Sequence, residues 1–152
     1  MPTTVHAPLA GVVRALADVP DPVFADAMVG PGLAIEPSGA GVVTATAPVS
    51  GVVSTLHPHA FVVVTAEGHG VLVHLGIDTV QLRGAGFTVH ARRHQEVRQG
   101  EAVVSWRPAE VAAGGRSPLC PVVVLDGAPG DVTPLVPPGR PVAGGAALLR
   151  WD

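Results

Sequence analysis

The chain has 152 residues and a net charge of -3, with nine arginines, no lysine and twelve acidic residues. No stretch interleaves basic side chains with stacking aromatics, so nothing marks a nucleic-acid partner, and the lack of lysine excludes Schiff-base chemistry and any lysine-tethered swinging cofactor. The hydrophobic fraction is 47% but only 3% is aromatic, and 19 Gly and 16 Pro punctuate the chain, a composition that favours short strands of Val, Ala and Leu over long helices.

In chain order, Met1-Pro2-Thr3-Thr4-Val5-His6 shows no basic region followed by an apolar stretch, so no export signal is expected. No apolar run reaches the ~18–20 residues needed to cross a bilayer. A cytoplasmic location follows as the expectation. The next segment, Ala7-Pro8-Leu9-Ala10-Gly11-Val12-Val13, is echoed forty residues later by Ala47-Pro48-Val49-Ser50-Gly51-Val52-Val53. A second echo pairs Val97–Trp106 with Val142–Trp151. Both echoes read as a turn followed by a strand, which predicts a duplicated β-motif about an approximate two-fold; three or more units would be needed for a solenoid. The expected fold is therefore all-β, an antiparallel β-sandwich or barrel-sandwich with an internally duplicated motif and only short helical turns. It is read as a single domain over residues 1–152.

Residues 18–35 read as a loop bearing apolar side chains, with one helical turn around Phe24-Ala25-Asp26-Ala27-Met28. A second short helix is expected over residues 108–115. Cys120 lies among apolar neighbours and reads as a buried structural thiol. Residues 126–141 read as a surface loop with one brief strand. His6, His90 and His94 sit in polar or turn contexts, and His69 in a turn.

The chemically informative stretch runs from His57 to Gly76. Two apolar runs flank a turn at Ala66-Glu67-Gly68, a hairpin signal. A two-residue loop there would set His59 opposite His74 or one diagonal step away, with both imidazoles on one face and close enough to touch one tetrahedral anion. The following Gly76-Ile77-Asp78 reads as a turn whose backbone N–H groups can face such an anion. Phosphoryl transfer needs positioning and donors more than a metal, and a neutral imidazole nitrogen can serve as its nucleophile. The alternative chemistry is a zinc site of His57, His59 and His74.

At this point the residues resemble a known family, the glucose-type enzyme IIA of the bacterial phosphoenolpyruvate-dependent sugar phosphotransferase system. The resemblance rests on blocks in order along nearly the whole chain: Ala7–Gly11, Val19–Ala25, Val29–Ile35, Ala47–Gly51, His59-Ala60-Phe61 and Val73–Val80, continued by Gly84–Phe87 and Val97 with Gly100. It implies a phosphoryl relay in which the small phosphocarrier HPr donates to His74, and His74 passes the group to a cysteine of the IIB domain of a glucose- or N-acetylglucosamine-type permease. It assigns His59 to steadying the phosphoryl group. The docking surface it implies comprises Phe24, Met28, Val29, Leu72 and Val80, ringed by Asp21 and Asp78, which would meet basic residues of the donor. No cofactor is required by it, though a zinc ion held by His59 and His74 could bridge to a partner. The chain departs from the family pattern at His57-Pro58, just before the first active histidine.

A rival reading is a zinc metallopeptidase-like domain on a related duplicated β-fold, with His57, His59 and His74 as ligands; the missing export signal weakens it, because such enzymes act on cell walls. A lipoyl- or biotinyl-type carrier fails for want of lysine.

Overall fold

A computed structural model describes residues 2–152. The Gly/Pro punctuation yields fourteen short strands and two short helices among the described residues. The chain opens with β1 (Thr3–His6), β2 (Gly11–Ala15), helix α1 (Pro22–Ala25) and β3 (Gly32–Pro37). Next come β4 (Val43–Thr46), β5 (Gly51–His57), β6 (Ala60–Val64), β7 (Gly70–His74), β8 (Thr88–Val89), β9 (Glu96–Val97) and β10 (Ala102–Trp106). The chain ends with α2 (Pro108–Ala113), β11 (Cys120–Val124), β12 (Val132–Pro134), β13 (Pro141–Val142) and β14 (Ala147–Trp151).

Eight strands form one antiparallel sheet in the order β13-β2-β3-β11-β7-β6-β5-β9, flanked by three-stranded sheets β1-β14-β12 and β4-β10-β8. These sheets enclose a core of small aliphatic side chains, among them Val5, Val13, Val53, Val63, Val73, Val104 and Leu149, with Phe61 and Trp106 as its large members. Alternation along β7 places Val71 and Val73 in this core and turns Leu72 and His74 to the other face, as the two-residue period of a strand requires.

The duplication expected from the echoes is present, and it is nested. The eight-stranded order reads as a palindrome about the β11–β7 pair, where Val122 lies opposite Val73. Reciprocal hydrogen bonds mark the two-fold: the amide of His6 donates to Pro48 O and that of Thr46 to Pro8 O, each at 2.9 Å. The β1–β14 ladder matches Thr3 with Trp151, and the β4–β10 ladder repeats it with Val43 and Trp106. One copy is thus the continuous run β4 to β10. The other is split into β1–β3 and β11–β14, with the continuous copy inserted where its own β6–β7 turn would be. The two echoed glycines have the same task in each copy. A Cβ on Gly11 would sit 2.1 Å from Glu36 O, and one on Gly51 would sit 2.0 Å from Val64 O, so only glycine allows the neighbouring strand to approach this closely.

The copies differ at one connection. The β5–β6 hairpin closes with the two residues Pro58-His59, whereas the equivalent β2–β3 connection is a long excursion from Leu16 to Pro31. That excursion folds back over the outer sheet face, where Leu16, Val19 and Phe24 pack against Ala34, Ile77 and Val123 in a second, smaller core. Its helix α1 starts at Pro22, one position into the helix where proline needs no N–H partner, and Asp21 caps it by accepting from the Val23 amide at 3.0 Å. It is shorter than the turn expected around Phe24–Met28. Cys120 is fully buried and its thiol is pushed up by burial. No described helix is long and apolar enough to cross a membrane.

Candidate functional site

His74 ends β7 on the outer face, and Gly76 turns the chain sharply after it with φ of 79°. That turn brings the Gly76 carbonyl back under the ring, where it lies 2.5 Å from Nδ1 of His74. A carbonyl only accepts, so Nδ1 carries the proton and Nε2 keeps its lone pair. Below the turn, the Thr79 hydroxyl donates to Leu75 O at 2.8 Å and the Ile77 amide to Ser117 O at 2.9 Å, which holds the carbonyl in place. Asp78 follows in a left-handed conformation at φ of 60°, a geometry that Asp and Asn tolerate better than most residues.

His59 reaches the site by a route other than the one expected from the sequence. The loop between β6 and β7 is longer than two residues: Thr65 and His69 are still hydrogen-bonded, and Ala66-Glu67-Gly68 closes the turn with Gly68 at φ of 87°. This shifts the register so that Ala60, not His59, lies opposite His74. A continued strand would then throw His59 to the opposite face. Instead, His59 leaves the strand as the second residue of the Pro58-His59 turn, and its carbonyl accepts from the Leu75 amide at 2.7 Å. The two rings meet with centroids 5.3 Å apart and nearly perpendicular. Proximity was legible; its cause was not.

Two further rings and two carboxylates complete the surroundings. His57, at the end of β5, stacks on His59 with centroids 5.6 Å apart. Phe24 lies 5.1 Å from the His74 ring on its other side. Both active-face imidazoles are held below the usual histidine range, His74 by burial against the opposing pull of the Gly76 carbonyl, Asp21 and Asp78, and His59 by burial together with His74 and His57. Both are therefore neutral near pH 7.

The residues expected to dock differ in exposure. Met28 is 70% exposed and Val80 58% exposed, on either side of the histidines in sequence, while Asp78 is exposed and Asp21 half-buried. Val29 and Leu72 are half-buried and packed on the smaller core. Phe24 does not belong among the free anchors: it is only 6% exposed, because it serves as a wall of the His74 site and as a member of that core. Val23, 40% exposed beside Asp21, is an apolar surface residue that the sequence reading missed, as was the Gly76 carbonyl. The Gly-Ile-Asp turn was the available signal for the latter.

His59 and His74 offer two nitrogen donors, short of the four ligands of a closed zinc site. Among the described residues no three His, Cys, Asp or Glu side chains are grouped to hold a metal ion. The arrangement does provide one oriented, neutral nucleophilic nitrogen beside a second imidazole that can donate, in a shallow apolar rim bearing two carboxylates.

The model of one family, described as phosphoenolpyruvate-dependent sugar phosphotransferase system, EIIA 1, matches residues 3–128. Among solved structures, the chain is similar to the glucose permease IIA from Mycoplasma capricolum, with a TM-score of 0.88 and 33% identity over 100% of this chain and 97% of that one.

Proposed function

The chain belongs to the phosphoenolpyruvate-dependent sugar phosphotransferase system EIIA 1 family, and from this premise we propose that it is a cytoplasmic phosphoryl carrier whose acceptor is Nε2 of His74. The observation that carries the assignment is the bond from Nδ1–H of His74 to the Gly76 carbonyl, which fixes the tautomer with Nε2 free. The donor is a phosphohistidine of HPr. As the Nε2–P bond forms, the donor's N–P bond breaks and its electron pair leaves with the donor ring. Positive charge that develops on the His74 ring is met by the Gly76 carbonyl at Nδ1–H, while His59 donates to the oxygens of the moving group. Discharge is the reverse attack, by a cysteine thiolate of a IIB domain on the same phosphorus, with S–P formed and N–P broken. The domain is one functional unit, and the exposed residues Met28, Val80 and Val23, with Asp21 and Asp78, form its docking face.

The test is incubation with phosphoenolpyruvate, enzyme I and HPr, followed by mapping of an acid-labile adduct. Label on His74 in the wild type and none on folded His74→Gln is the expected result. Undiminished label on His74→Gln refutes the assignment.

A further inference from the structure

Away from the histidines, helix α2 and the loop from Leu82 to Phe87 enclose a cleft of about 240 Å³. Its walls are apolar: Leu82, Phe87 and Val111 line it, with Ala85 and Gly86 from the loop. Phe87 is backed by Trp106, its ring parallel within 7° at 6.0 Å. The rim is charged. Arg107 and Arg116 both line the cleft, against a single carboxylate, Glu110, which stands 3.9 Å from Arg107. Arg116 spends one amino group on Gln81 at 3.1 Å, but its Nε–H is buried and has no acceptor. The buried indole Nε1–H of Trp106 likewise has none. These two are the only buried side-chain polar atoms without a partner among the described residues.

The cleft sets guanidinium groups at the edge of apolar walls, which suits a ligand that joins an acceptor to an apolar body, while the two buried donors lie behind that lining, out of a ligand's reach, and can only report on it. The excess of guanidinium over carboxylate makes that acceptor anionic and suited to a fork. At ~30 Å³ per water the space equals roughly eight waters, room for a branched or aromatic fragment, and its apolar walls suit such a body better than a hydroxyl-rich sugar phosphate.

We propose that this cleft is a binding site for a small apolar monocarboxylate, with its carboxylate on Arg116 and its body against Phe87, Leu82 and Val111. The site is independent of the phosphoryl chemistry assigned to His74. Gly114 offers a direct way to block it. Its φ is an ordinary -80°, and a Cβ there would lie 3.7 Å from the nearer Arg116 amino nitrogen with no closer contact than 3.5 Å. A glutamate at this position therefore delivers a tethered carboxylate to the same guanidinium.

The experiment titrates the wild-type chain with 4-methylpentanoate, 4-methylpentanamide and acetate at millimolar concentrations, following the Trp106 indole and Arg116 Nε–H signals by nuclear magnetic resonance. Saturable shifts with 4-methylpentanoate are expected, about tenfold weaker with the amide, which lacks the charge, and about tenfold weaker with acetate, which lacks the body. Gly114→Glu and Arg116→Met should each weaken 4-methylpentanoate binding at least tenfold while signals elsewhere stay unchanged. No saturable shift, an equal response to the three compounds, or unchanged affinity in both variants overturns the proposal. The ligand series is read on the wild-type chain, so a variant that fails to fold leaves the decision intact.

Discussion

Phe24 stands against His74 with ring centroids 5.1 Å apart and tilted by 57°, and this contact joins the excursion of one copy to the histidine of the other. Removing the ring opens a cavity in the smaller core and uncovers His74 at once. Phe24→Ala is expected to destabilise the fold by about 3 kcal/mol, at the low end for a buried phenylalanine because the cluster lies near the surface. It should also raise the His74 titration midpoint, since burial is the main cause that holds it down. Urea unfolding and imidazole proton resonances measure the two effects. A variant as stable as wild type would show that the smaller core does not anchor the excursion.

His59 sits in a turn and not in a strand, so its loss should spare the sheet. His59→Gln is expected to take up phosphoryl from HPr at a rate within a few-fold of wild type and to discharge it at least tenfold more slowly. The two half-reactions are separated by rapid quench. Equal slowing of both, or of neither, removes His59 from the discharge step.

Asp21 and Asp78 each have a backbone duty, Asp21 as helix cap and Asp78 in a left-handed turn. Asparagine can perform both duties without charge, so Asp21→Asn with Asp78→Asn tests charge alone. Uptake from HPr should slow several-fold at low ionic strength, and the gap should close as salt shortens the Debye length from ~30 Å to ~8 Å. Parallel salt curves for variant and wild type would take both residues out of the encounter.

The depressed histidines link stability to pH. Unfolded imidazoles bind protons near pH ~6.5, whereas His59 and His74 in the folded chain bind them only at lower pH. Between these values the unfolded state holds more protons, so stability rises with pH and falls as pH drops below ~6.5. The double variant His59→Gln, His74→Gln should show a shallower loss from pH ~7 to ~5.5 in urea midpoints. An identical slope would mean that the rings are not buried as described.

Much of this architecture was legible from the chain, because duplication leaves a direct mark: the echoed Ala-Pro-x-x-Gly segments need glycine at Gly11 and Gly51 for the same close approach, so the repeat shows in the letters. The pairing of His59 with His74 was legible for a weaker reason. Sequence fixes a hairpin but not its loop length, and one residue of register, decided here by the left-handed Gly68, moves a side chain to the other face. The family resemblance puts Phe24 on the docking surface and the composition around it is that of a loop bearing apolar side chains; nothing local tells that the loop folds back over the sheet and buries the ring against Val123 and Ile77. Tautomer control by the Gly76 carbonyl was out of reach, since it depends on a backbone dihedral.

The nesting of one copy inside the other also bears on the order in which the molecule can assemble. Val63 meets Val71 across a short turn, but the corresponding partners in the split copy, Ile35 and Cys120, are separated by the entire inserted copy. Closing a loop of that length is entropically costly while the intervening chain is loose, and much cheaper once that chain has condensed. The continuous copy, which carries His59 and His74, is therefore the part placed to form first, and the split copy closes around it as a clasp that brings Phe24 onto a histidine already in position.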